Sequence, residues 1–163
     1  MSGLMKIRQT RIVEKYVRIV LYPQSEPITI THVDIPDNAI VDGVYISSYP
    51  GVTTHVGMDT SAGFGGYREF DCSGEEPCEF HAPAIVWRLC LYSGGYGGGG
   101  GEGEEELSTN SNNRDQEVFN ARITHIEAYA LGTNPENRST LLIRLLCIGE
   151  CEPRVWTERR SAY

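Results

Sequence analysis

The sequence predicts an all-β fold, an antiparallel β-sandwich of jelly-roll character with one long Gly/Glu-rich insertion loop. Apolar residues recur with period two in run after run. Clusters of Gly, Pro, Asn and Asp interrupt those runs roughly every 8–15 residues, and no stretch holds a convincing helical period. A chain of 163 residues is close to the usual size of one domain and long enough to bury a core. Residues 1–163 therefore read as a single domain of about seven or eight strands.

The first strand is 16–22, where Val17, Ile19 and Leu21 alternate with Tyr16, Arg18 and Tyr22 up to Pro23. Residues 28–33 alternate again and stop at Asp34-Ile35-Pro36-Asp37-Asn38, a turn-forming stretch. Residues 44–46 and 52–56 flank Tyr49-Pro50-Gly51 and read as a hairpin closed by a Pro-Gly turn. Residues 57–66 are glycine-rich and read as irregular, leading into a short edge strand at 67–71. The strongest strand pattern is 84–92, in which Ile85, Trp87, Leu89 and Leu91 share one face and predict the centre of the core. Residues 93–117 hold a glycine run, then acidic and polar residues, and read as a flexible insertion. Residues 118–131 alternate Phe119, Ala121, Ile123, His125 and Tyr129, and their β-branched and aromatic content favours a strand over a helix. Residues 133–137 turn the chain, and 141–148, apolar on both sides, read as a strand covered by two layers.

The net charge of −8 is unevenly spread. Residues 1–20 hold five Lys or Arg against Glu14, and residues 152–163 hold three Arg against two Glu, so the two ends carry +4 and +1 and the remainder carries −13. Such a body repels phosphate, which excludes it as a nucleic-acid-binding face. The basic N-terminal arm 1–12 and the C-terminal tail 152–163 are suited to dock on the acidic body of a neighbouring copy. Lys6, Arg8, Arg11, Arg18, Arg154, Trp156, Arg159 and Arg160 are the assembly candidates. The plainer reading is that both ends are solvated tails. Arg outnumbers Lys twelve to two, which suits ordered ion pairs and interfaces; a genome-wide bias gives the same count.

No apolar run approaches the roughly 20 residues that span a bilayer, so no membrane insertion is expected. The first twenty residues lack the apolar centre of a signal peptide, so export requires a signal removed beforehand or another route of release. The expected location is virion or extracellular, with the cytoplasm as the remaining option. Of five cysteines, Cys72 and Cys78 bracket a polar turn-forming stretch and predict a small disulfide loop. Cys90 and Cys147 sit in apolar runs and read as buried small hydrophobes, while Cys151 follows Cys147 by four residues.

Chemistry-bearing motifs are sparse. Gly95-Tyr96-Gly97-Gly98-Gly99-Gly100 satisfies a dinucleotide-binding pattern, but Glu102–Glu106 follows where a phosphate-binding helix is needed, so the match is rejected. Asp34, Asp37 and Asp42 crowd one turn region as a candidate Ca²⁺ site, although turn chemistry alone also explains them. His32 and His125 each lie on an apolar strand face, where strand pairing can bring them together; a lone histidine there is more often a hydrogen-bonded core residue than a ligand. Asn137-Arg138-Ser139 matches a glycan acceptor. No cofactor is expected apart from the calcium option. The reading that follows is a non-enzymatic structural subunit that assembles with copies of itself into a capsid-like particle or filament. The alternatives are a carbohydrate- or calcium-binding module using Tyr45, Tyr49, Phe64, Tyr67 and Tyr96, and a hydrolase with His32 or His125 as base.

Overall fold

The computed structural model describes residues 11–24, 28–63, 65–83 and 122–160. The strand expected over 84–92 with Trp87, the insertion 93–117, Cys90, Lys6 and Arg8 lie outside the described residues. Those residues form nine strands and no helix, in the order β1 (Ile12–Leu21), β2 (Ile28–Asp34), β3 (Ala39–Ser48), β4 (Thr53–Thr60), β5 (Gly65–Asp71), β6 (Cys78–Pro83), β7 (Ile123–Leu131), β8 (Ser139–Ile148) and β9 (Arg154–Arg160). They build two antiparallel sheets, a four-stranded sheet in the order β1-β8-β3-β6 and a five-stranded sheet in the order β5-β4-β7-β2-β9.

One apolar cluster joins the sheets. Val17 and Ile19 of β1, Val44 and Ile46 of β3 and Leu141, Ile143 and Leu145 of β8 meet Val33 of β2, Val56 and Met58 of β4, Phe70 of β5 and Ile126 and Ala128 of β7. Each strand supplies every second residue, as the pleat requires. Thr54 and Ser139, buried on facing sheets, satisfy one another through a 2.7 Å hydroxyl pair.

Four expectations need correction. The chain passes from one sheet to the other at nearly every described connection, so β3 and β4 do not form a hairpin. The Pro50-Gly51 turn is held elsewhere: the Tyr49 N–H donates to the Arg138 carbonyl at 3.1 Å, and the N–H of Gly51, at φ +84°, donates to that of Cys72 at 2.7 Å. The glycine-rich stretch 57–66 is instead the hairpin, with Thr53–Asp71 and Asp59–Gly65 bounding the β4–β5 register. Finally, the segment expected as a C-terminal tail contains β9, paired along its whole length with β2 from Ile28–Arg160 to Asp34–Arg154. The 141–148 run is not covered on both sides either. Leu141, Ile143 and Leu145 are buried, whereas Leu142 and Leu146 face outward half-exposed.

Cys72 and Cys78 form a disulfide with Cα atoms 5.7 Å apart, closing the loop between β5 and β6. Cys147 forms a second one with Cys151, Cα atoms 5.9 Å apart. Cys147 is thus buried, as its apolar run implies, but it is a bridge rather than a free thiol. Gly149, at φ +77°, allows the tight return between them. Two disulfides point to an oxidising, extracellular-type environment, and no helix among the described residues is long and apolar enough to cross a membrane. Alkylation of the oxidised chain before intact-mass measurement should label one thiol, and labelling after reduction should add four more, because five cysteines include two bridged pairs. Labelling of three or more thiols before reduction contradicts the pairing.

Candidate functional site

The outward face of the five-stranded sheet carries the densest chemistry. In the β2–β7 register Asp34 stands opposite His125 and His32 opposite Glu127. In the β2–β9 register Asp34 stands opposite Arg154 and His32 opposite Trp156, with Glu158 one step further along the same face. On β2 the parity is decisive: Val33 points into the core, so His32 and Asp34 point out. His32 is nonetheless only 4% exposed, because the Trp156 ring stacks on it with centroids 4.1 Å apart and planes 10° apart.

The polar groups form one chain of contacts. His32 Nε2 lies 2.8 Å from Glu158 Oε1. His32 Nδ1 lies 3.0 Å from His125 Nε2, and His125 Nδ1 lies 2.8 Å from Asp34 Oδ1. The Trp156 indole N–H donates to the other Asp34 oxygen at 3.0 Å, and Arg154 approaches that oxygen at 3.5 Å. Partial desolvation raises the Asp34 carboxyl, but hydrogen bonds from His125 and Trp156 and the nearby charges of His125 and Arg154 outweigh it and hold it below the usual value. Partial desolvation likewise raises Glu158, while Arg160 and His32 bring it below its usual value.

The carboxylate contacts constrain the tautomers. An ionised carboxylate only accepts, so His125 donates through Nδ1–H and His32 through Nε2–H. The remaining nitrogens, His32 Nδ1 and His125 Nε2, face each other at 3.0 Å. Two neutral rings in these tautomers would oppose two lone pairs. A cation shared between the facing nitrogens relieves that opposition.

Beside the pair an open cleft of about 230 Å³ is lined by His55, Gly57, Met58, Asp59, Gly66, Tyr67, His125 and Glu127. Gly57 makes its floor: a Cβ there would come within 3.3 Å of Glu127 Cγ, so glycine lets the Glu127 side chain lie across the sheet. His55 closes one end, stacked between Tyr67 and Tyr129 at 4.7 and 4.5 Å. Burial pushes its imidazole below the usual value, against the pull of Glu69 and Glu127.

The candidates singled out in the sequence distribute unevenly. His32 and His125 are brought together. Asp34, Asp37 and Asp42 are not: Asp34 serves the histidine pair, Asp37 pairs with Arg122 at 3.3 Å, and Asp42 bonds Arg144 on the other sheet. Each of the three carboxylates is turned to a different partner. Arg154, Trp156 and Arg160 are engaged within the chain, Arg160 bonding Glu158 at 3.1 Å, while Arg11, Arg18 and Arg159 are exposed. Tyr45 stacks on His81 at 4.3 Å, and its sheet is not that of Tyr67; Phe64 and Tyr96 lie outside the described residues. The Asn137 side-chain amide donates to the Pro50 carbonyl at 3.2 Å. Sequence reasoning missed Glu127 and Glu158. The signal was present as His32-x-Asp34, His125-x-Glu127 and Trp156-x-Glu158, three pairs whose spacing of two places both members on one strand face.

No known protein-family model matches the chain, and no curated protein sequence matches it.

The pH dependence of stability follows from Asp34 and Glu158. Their folded values lie below the unfolded ones, so their contribution is fully present above the ordinary carboxylate range and is lost as pH falls through and below about 4. Around Asp34 the facing groups are His125 on β7 and Trp156 and Arg154 on β9. Urea midpoints measured from neutral pH downward should therefore decline less steeply for Asp34→Asn than for the wild type. Parallel declines would show that Asp34 contributes nothing to the slope.

Proposed function

We propose that this protein is a non-enzymatic structural subunit of jelly-roll type that assembles with copies of itself into a particle or filament, in a virion or outside the cell. The observation that carries this reading is the outward face of the four-stranded sheet. Ile12 is 63% exposed, Ile148 50%, Tyr16 48% and Ile40 46%, on three neighbouring strands. Ile12 stands opposite Ile148, and Leu146 stands between Glu14 and Ile40. A solvent-facing antiparallel sheet ordinarily alternates apolar-in with polar-out; here large apolar groups occupy both sides of β8. Contiguous exposed apolar groups rimmed by polar ones mark a surface that a partner covers.

A second copy of the chain is the occupant we favour, on grounds of charge. The patch surrounds Arg144, bonded to both Glu14 and Asp42, and exposed Arg18 stands on the same face of β1. Both signs are thus present on one patch, as a self-complementary interface needs. The acidic body and the basic residues 1–20 add complementarity over longer range. Three ten-residue strands offer a face of roughly 500 Å², below the ~800 Å² per partner of a standard interface. The basic arm, including Arg8 and Arg11, is the natural supplement.

Light scattering of the purified chain should report particles well above the 18.1 kDa monomer. Ile40→Glu combined with Ile148→Glu should shift the mass towards the monomer while leaving the fold intact, since both side chains are exposed. A wild-type chain that stays monomeric at high concentration, or a double variant that assembles as the wild type does, overturns the reading.

A further inference from the structure

We propose that His32, His125 and Glu127 form a binding site for a divalent transition-metal ion of the zinc type, held between the two imidazoles. The site stands independently of the assembly reading. His32 Nδ1, His125 Nε2 and a Glu127 carboxylate oxygen lie within 4.8 Å of one another. The two nitrogens are 3.0 Å apart, and His32 Nδ1 is 3.9 Å from Glu127 Oε1. Tetrahedral zinc holds each ligand at ~2.0–2.1 Å and so separates two ligand nitrogens by ~3.3 Å. The rings need to open by only a few tenths of an ångström.

The outer nitrogens of the two rings give a second geometric observation, each lying 2.8 Å from a carboxylate oxygen. Metal-bound histidines typically give their remote N–H to a carboxylate or carbonyl, which fixes the ring and makes the ligating nitrogen a better donor. Here both rings do so, His32 through Nε2 to Glu158 and His125 through Nδ1 to Asp34. The free lone pairs are consequently those aimed at the shared point. Trp156, stacked on His32 and bonded to Asp34, holds both partners in place.

Access and selectivity follow from the surroundings. His125 and Glu127 border the cleft floored by Gly57, through which an ion enters and in which water completes the coordination. Two imidazoles and one carboxylate suit zinc and its first-row neighbours. Calcium, which takes six to eight oxygens, is not served by this set. A bound ion ties β2 to β7, while Glu158 and Trp156 carry the constraint to β9.

Isothermal titration calorimetry of zinc chloride into the full, disulfide-bonded chain at neutral pH is the test. One site per chain is expected in the wild type. Glu127→Gln, which conserves volume at a partly exposed position, should weaken binding by about ten-fold or more, and His125→Ala should abolish it. His81→Ala and Cys90→Ser each remove a soft donor that is not one of the three ligands and should bind as the wild type does. Absence of saturable zinc binding, unchanged affinity in Glu127→Gln or His125→Ala, or loss of binding in Cys90→Ser each overturns the assignment.

Discussion

The antiparallel register of β2 against its two neighbours is the constraint on which the candidate site depends. Opposing Asp34 to His125 on one side and His32 to Trp156 on the other places these four side chains on one face. A slip of one residue would turn His32 and Asp34 into the core and Val33 out to solvent. The core forbids that slip, because Val33 is fully buried against residues of both sheets. Packing between the two sheets thus fixes chemistry on the outward face.

The same logic explains why a nearly buried histidine is tolerated. A polar ring shielded from water costs free energy unless both nitrogens are partnered. His32 meets that demand with Glu158 at one nitrogen and His125 at the other, and His125 passes the demand on to Asp34. The chain of contacts terminates in carboxylates that solvent and arginines also reach, Arg154 at Asp34 and Arg160 at Glu158. β9 supplies the cover, the terminal carboxylate and both arginines.

The strands were legible in the sequence wherever alternation was long and one-sided. Val17, Ile19 and Leu21 revealed β1, and the β-branched run of 28–33 revealed β2. Glycine misled: Gly57, Gly65 and Gly66 looked like a break, yet they lie in a paired hairpin in which absent side chains leave room for Glu127 and Asp59. Pro50-Gly51 carried a true turn signal, but a local motif does not say whether the strands it joins share a sheet. Polar alternation hid β9, since Arg154, Trp156, Glu158 and Arg160 face outward over other polar groups and none of the strand joins the apolar cluster. The histidine pair was visible as a possibility of strand pairing. Its carboxylate partners were not, because they depend on which strands become neighbours across 90 or more residues of sequence.

At the centre of the site two imidazole nitrogens face one another at 3.0 Å while the outer nitrogens each meet a carboxylate at 2.8 Å. Long-range ¹H–¹⁵N correlation spectra of the metal-free protein observe the protons on these nitrogens directly. The predicted result is His32 protonated at Nε2 and His125 at Nδ1, with a single exchangeable proton between the facing nitrogens. A His32 ring protonated only at Nδ1, leaving Nε2 bare beside Glu158, would contradict it.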